Sequence, residues 1–282
     1  MHPQQRSFVL FSLVLLLTGC GIFPGSQTKT TQSAASQTAT NNQAQPYSDE
    51  DYAAVLNTYV NEQGQVNYAK LKENRAGLDR YNQSLGNVAP ETFQSWSEAE
   101  KIAFLVNAYN SLTLQAILDH YPVDSIRKIP GVWKSLKFQV LGQPTTLDEI
   151  EHQILRKEFN EPRIHMALVC ASVGCPNLLR EPYRGATLDQ QLDANTQQFF
   201  SLDRNFKLDA KAQKVYLSSI FDWFGQDFEK TYGTEDKFKT FSAKERSILN
   251  FASQYVNAEQ LTQLQQVKKL SYLDYDWSLN RQ

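Results

Sequence analysis

Histidine and cysteine are scarce in this chain, at four and three of 282 residues, so any reactive site must draw on a small pool. The C-x₂₋₄-C…H-x₃₋₅-H spacing of a structural zinc site is absent, which leaves a zinc reading of Cys170, Cys175, His152 and His165 without support, and no motif calls for a cofactor. Excess basic charge is lacking too: 28 Lys and Arg stand against 30 Asp and Glu, a net charge of −2. A near-neutral chain carries no electrostatic footprint for nucleic acid. No stretch recurs at a fixed period, which excludes solenoids and propellers. The apolar run Ser7–Leu17 falls short of the ~20 residues that a spanning helix needs.

That run has the form of a targeting segment. Arg6 is a short basic start, the apolar stretch follows, and Leu17-Thr18-Gly19-Cys20 closes it. Small residues before a cysteine fit a narrow protease cleft, and the pattern resembles the lipobox of bacterial lipoproteins. The resemblance implies removal of residues 1–19 and acylation of Cys20, with each buried CH₂ contributing about 0.8 kcal/mol to membrane attachment. With Gly21 rather than Asp after the cysteine, it favours an outer-membrane lipoprotein, facing the periplasm or the surface. Residues 20–46 read as the lipidated cysteine and a flexible tether. Ser, Thr, Gln, Ala and Asn dominate them, with almost no apolar material to offset the entropy of ordering.

Residues 47–282 read as one α+β domain, rich in helix, with small antiparallel strands and hairpins around a central buried helix. Tyr52–Tyr59 is a short amphipathic helix. Glu98–Tyr121 is long, Leu- and Ala-rich, free of Gly, apolar almost all round and stopped by Pro122, so it belongs in the core. Lys137–Leu147 is a hairpin turning at Gly142. Thr146-Leu147-Asp148-Glu149 is a capping box opening a helix to about Phe159. Ile164–Cys170 reads as a buried strand, Leu188–Phe200 as a helix, and Phe206–Leu208 and Val215–Leu217 as strands. Ser242-Ala243-Lys244-Glu245 caps a helix through Val256, and Leu270–Leu279 alternates like a late strand.

Three regions hold polar residues that packing alone explains poorly. Asn107 and Asn110 share one stripe of the central helix, where unpaired amides would cost about 1–3 kcal/mol each; they either tie loops to the helix or polarise a substrate carbonyl. Glu149, His152 and Arg156 fall on one α-helical stripe, able to orient a base, although Glu149 is also the capping residue. Cys170 ends the expected strand and Cys175 precedes Pro176, where a helix start would stabilise a thiolate. Equally, in an oxidising compartment, Cys170 and Cys175 can form a disulfide. On a regular strand His165 and Cys170 would point to opposite faces, about 16 Å apart, which favours His152 as base.

Taken together the motifs resemble DUF547, a family without an assigned activity. The matching segments are Tyr52 with Gly64-Gln65-Val66-Asn67-Tyr68, then Ala103–Asn110, Leu147–His152, Arg163–Cys170 and Cys175-Pro176. Tyr275–Asn280 looks like the ending of bacterial members. The resemblance implies a site built from Asn, Glu, His and Cys. Two functions fit it. One is a thiol hydrolase or acyl transferase on envelope amide bonds, with Cys170 as nucleophile, His165 or His152 as base, Glu149 orienting and Asn107 or Asn110 polarising. The other is a non-catalytic binding or scaffolding module with a Cys170–Cys175 disulfide and an envelope peptide or protein as partner.

Overall fold

The central element is helix α5, Glu98–His120, and the reason it sits inside is visible residue by residue. Every position from Ile102 to Leu118 except Gln115 is buried, as expected of a helix apolar on all sides. Ser97 caps it reciprocally: its Oγ accepts from the Glu100 N–H at 3.3 Å while its own N–H donates to Glu100 Oε2 at 2.8 Å. The computed structural model describes residues 47–282, so the expected leader, Cys20 and the tether lie outside the described residues. Among those described, no helix is long and apolar enough to cross a membrane.

Helices α1 (Glu50–Tyr59), α2 (Tyr68–Glu73), α3 (Ala76–Leu85) and α4 (Pro90–Ser95) precede α5. A hairpin follows, β1 (Phe138–Val140) with β2 (Gln143–Thr145), and turns through Leu141 and Gly142, both at positive φ. The Thr146 box then opens a π-helix, Glu149–Leu155, continued by α6, Arg156–Glu158. Helix α7 spans Leu188–Phe200. Strands β3 (Phe206–Asp209) and β4 (Lys214–Ser218) pair antiparallel, and β5 (Lys269–Leu273) pairs with β4 in parallel. The parallel pair departs from the hairpin-only expectation. Its crossover is made by α8 (Ser219–Phe224), α9 (Glu229–Tyr232), α10 (Ala243–Ala252) and α11 (Ala258–Leu264), ample for the long return a parallel pair requires.

Two apolar clusters result. The first surrounds α5 and is largely aliphatic, with Leu71, Leu78, Leu105, Ile117, Ile150 and Leu192 fully buried. The second is aromatic, built on Phe199, Phe200, Phe221, Phe228 and Phe251, whose ring centroids lie 4.8 to 6.2 Å apart in the contacting pairs.

Three local expectations need correction. Ile164–Cys170 is not a strand: Pro162–Met166 form a 3₁₀ helix, started by Pro162 and capped by Glu161, and an irregular buried segment follows. A short apolar run does not by itself separate these outcomes. Pro176 starts no helix, so no helix N-terminus lies beside Cys175. The closing strand stops at Leu273, and residues 274–281 continue as an irregular strap that touches three distant loops. It donates from Leu279 N–H to Asp124 O, accepts at Ser278 O from Val173 N–H, and accepts at Asn280 O from Val66 N–H.

Candidate functional site

A buried irregular segment must find partners for its peptide groups, and this explains the helix amides. Asn110 donates to Ala167 O at 3.0 Å and accepts from Val169 N–H at 2.8 Å, standing in for a neighbouring strand. Asn107 does the same for Tyr183, at 2.8 and 2.9 Å. Asn195 of α7 adds a bond to Met166 O at 2.6 Å. Asn107 and Asn110 are therefore occupied with backbone and do not line the cleft described next.

That cleft, of about 360 Å³, lies between the two apolar clusters. Its lining includes Tyr109, Glu151, His152, His165, Cys170 and Cys175, so four of the five His, Cys and Glu candidates for thiol chemistry meet there with a carboxyl the sequence had not singled out. A larger cavity of about 660 Å³, lined by Arg75, Asn82, Lys137 and Gln139 among others, contains no thiol or imidazole.

At one end sit the thiols. Both cysteines are free, with sulfurs 2.8 Å apart. Donors converge on Cys175: the Cys170 N–H at 2.9 Å, the Tyr275 hydroxyl at 3.0 Å and the Ser172 hydroxyl at 3.3 Å. Burial works against ionising Cys175, but these donors outweigh it and hold its thiol below the ordinary range. Cys170, bonded to Cys175 and buried in turn, is pushed well above that range. The pair therefore ionises once, with the charge on Cys175, while Cys170 is the more exposed of the two.

At the other end His165 Nε2–H donates to Asp227 Oδ2 at 2.8 Å. The ring lies flat on Phe224, centroids 4.3 Å apart and planes 12° apart, so its orientation is fixed. Burial opposes the Asp227 charge, yet the His165 and Arg156 hydrogen bonds dominate and keep its carboxyl well below the usual range. An ionised Asp227 only accepts, which assigns the His165 proton to Nε2 and leaves Nδ1 as the basic atom. Burial lowers the His165 pKa against the Asp227 bond, so the ring is neutral at neutral pH. Arg156 grips Asp227 through Nε at 2.6 Å and Nη2 at 2.9 Å, and its Nη1 reaches His152 Nδ1 at 3.1 Å. A guanidinium only donates, so the neutral His152 carries its proton on Nε2.

Glu151 shows why the helical stripe misled. In the π-helix Arg156 N–H donates to Glu151 O, five residues back, and the wider turn changes which side chains point inward. Glu151 is buried, bonded by the Tyr109 hydroxyl, and pushed up to about 7 by burial. Glu149 stays outside the cleft, returning its carboxylate to Thr146 N–H at 2.7 Å. His165 and Cys170 do not point to opposite faces as on a regular strand: a 3₁₀ turn stands in place of that strand, and both side chains line the same space. Asp227 belongs to no local pattern that marks it, and Tyr275, although it opens the closing motif Tyr275–Asn280, carries no sequence signal that places it on the thiols.

Aromatic rings complete the lining: Trp133, Trp223, Phe224, Tyr275 and Trp277. Trp223 is 46% exposed, the single large exposed apolar side chain among the described residues, and lies 5.8 Å from Trp277 at 25°. Among the described residues no group of three or more His, Cys, Asp or Glu side chains is arranged to hold a metal ion.

The fold and the cleft define a helix-rich α+β domain with a thiol pair, a His–Asp pair and an aromatic rim around one space. Residues 93–200 match the family model DUF547, a protein of unknown function, so the chain carries a DUF547 domain of unassigned activity. No curated protein and no solved structure matches the chain.

Proposed function

We propose that the cleft is a thiol-dependent site for hydrolysis or transfer of acyl groups, with envelope amides as substrates. The observation that carries this is the contact between Cys170 and Cys175: a partly buried thiol lies 2.8 Å from a second one whose surrounding donors favour the thiolate, so it already has a base in reach. Cys175 accepts the Cys170 proton as Cys170 Sγ bonds to the substrate carbonyl carbon. Breaking the carbon–nitrogen bond expels the amine, which takes a proton from Glu151, whose carboxyl is half protonated near neutral pH. Water then cleaves the thioester, with His165 Nδ1 as base and Asp227 holding the ring. An activated ester such as p-nitrophenyl acetate should release a burst of one nitrophenol per chain. Cys170→Ser should abolish that burst, with a loss of about a thousandfold or more in rate and an unchanged melting temperature. A burst that survives the substitution sinks the reading.

The lipobox supports attachment of the mature protein to a membrane through acyl chains on Cys20, outside the cytoplasm, with the domain reaching envelope peptides on its tether. Cys20→Ser should move the protein from the membrane pellet to the soluble fraction while the domain stays folded. Recovery in a salt-washed pellet contradicts the anchor. A binding role without catalysis is favoured by one observation, the exposed Trp223 beside Trp277, since stacked rings at a cleft mouth suit ligand capture.

A further inference from the structure

Acyl transfer uses Cys170 as nucleophile and Cys175 only as its base, but the pair is arranged for a second reaction. The sulfurs at 2.8 Å need less than ~1 Å of approach to reach the ~2.05 Å of a disulfide. They are also unequal. Both line the cleft, but Cys170 is partly exposed to it, whereas Cys175 is 2% exposed and ringed by donors. The loop between them is held together from outside. Ala171 has φ 58°, a left-handed conformation that is unfavourable for a non-glycine residue. The strap fixes it there: Asn280 N–H donates to Ala171 O at 3.0 Å, Val173 N–H to Ser278 O at 2.8 Å, and Gly174 N–H to Asp276 O at 2.9 Å. Gly174 lies so close to Tyr275 that a Cβ would meet its ring at 2.9 Å. The thiols are thus kept in reach of each other without a bond between them.

From this arrangement we infer that the cleft is also a thiol–disulfide exchange site, whose substrate is the disulfide of a small thiol or a cysteinyl peptide. Cys170 Sγ passes its proton to Cys175 and attacks one sulfur of the substrate. The substrate S–S bond breaks, and the leaving thiolate collects that proton from Cys175, leaving as a thiol. Cys175, ionised again and already beside the mixed disulfide, attacks Cys170 Sγ and expels the second half of the substrate as a thiolate. The protein loses two electrons, the substrate gains them, and one S–S bond is exchanged for another. Cys170 is the attacking member because it is the one that substrate reaches; Cys175 is the resolving member because it is buried, ionised and adjacent. The exchange does not depend on the acyl-transfer reading.

The test uses the full chain carrying Cys20→Ser, so that two thiols remain, reduced and then exposed to oxidised glutathione. Free thiols and intact mass are followed with time. The expected result is loss of both thiols with no lasting glutathione adduct. Adding Cys175→Ser should trap one glutathione on Cys170, and Cys170→Ser should acquire an adduct on the order of tenfold more slowly. Retention of both thiols, a stable adduct on the protein with both cysteines, or equal adduct rates in the two single variants would overturn the inference. Exchange without an ester burst supports it and removes the acyl reading, while a burst without exchange does the reverse.

Discussion

Two walls face each other across the cleft and come from different stretches of chain. One, between residues 109 and 175, holds the groups that titrate: Tyr109, Glu151, His152, His165, Cys170 and Cys175. The other, between residues 220 and 277, is mostly ring and hydrocarbon: Ile220, Trp223, Phe224, Tyr275 and Trp277. The first lies wholly within the matched segment 93–200 and the second wholly outside it. The reactive groups and most of the apolar lining are therefore encoded in different stretches, with Trp133 the ring that the first stretch contributes and with Phe224 and Tyr275 of the second touching His165 and Cys175. Only Asp227 and Tyr275 cross from the second stretch to place a polar atom on a reactive group of the first.

Cutting the Asp227 crossing should lower stability and turnover together. Asp227→Asn removes the carboxylate shared by His165 and Arg156, leaving the guanidinium without its partner in a partly buried place. Stability should fall by about 2–3 kcal/mol in urea unfolding, and ester turnover by on the order of a hundredfold. A variant as stable and as fast as the parent shows that the His165–Asp227 pair is incidental.

Glu151 sharpens the titrating wall through pH. Its folded pKa, about 7, stands above the ordinary 4.5, so the folded state holds the proton more tightly than the unfolded chain. That contribution is complete below pH 4.5 and is lost as pH rises through 7, amounting to on the order of 3 kcal/mol. Glu151→Gln, neutral throughout, should gain stability relative to the parent between pH 5 and 8. Parallel stability curves for the two proteins across that range would contradict the assignment.

Trp223 tests the rim and should give the smallest change in stability. Because the ring is 46% exposed, Trp223→Ala should shift stability by less than about 1 kcal/mol. It should raise KM severalfold while leaving kcat nearly constant, since it removes binding area and no reacting group. A fall in kcat with constant KM would place the ring in the reaction itself.

Much of the frame could be read from periodicity and caps. The central helix, both capping boxes, α7 and the β1–β2 hairpin are local patterns, and each formed where its residues demanded. The site was only half legible. Cys170, His152 and His165 stand out because such residues are few, but an ideal helix and an ideal strand place them differently from the π-helix and 3₁₀ turn that form. The π-helix brought Glu151 into the cleft in place of Glu149, and the 3₁₀ turn at Pro162 removed the strand between His165 and Cys170. Asn107 and Asn110 were seen as needing partners, and their partners proved to be peptide groups of an irregular loop. Asp227 and Tyr275 reach the site by tertiary packing across 62 and 100 residues, which no window along the sequence contains.

The strap at residues 274–281 has a kinetic meaning. It closes the thiol loop at Ala171 and Val173, seats on Val66 and Asp124, and places Tyr275 over both sulfurs, all across long separations in sequence. Contacts of that span form late, because the entropy of closing the intervening chain must be met first. The helical frame around α5 can gather from nearer contacts while the thiols remain uncovered, so the cleft acquires its reactivity only in the last stage of folding. Pulsed alkylation during refolding should find Cys170 and Cys175 open after most helical signal has returned, and protection of both at the earliest times would place strap docking first.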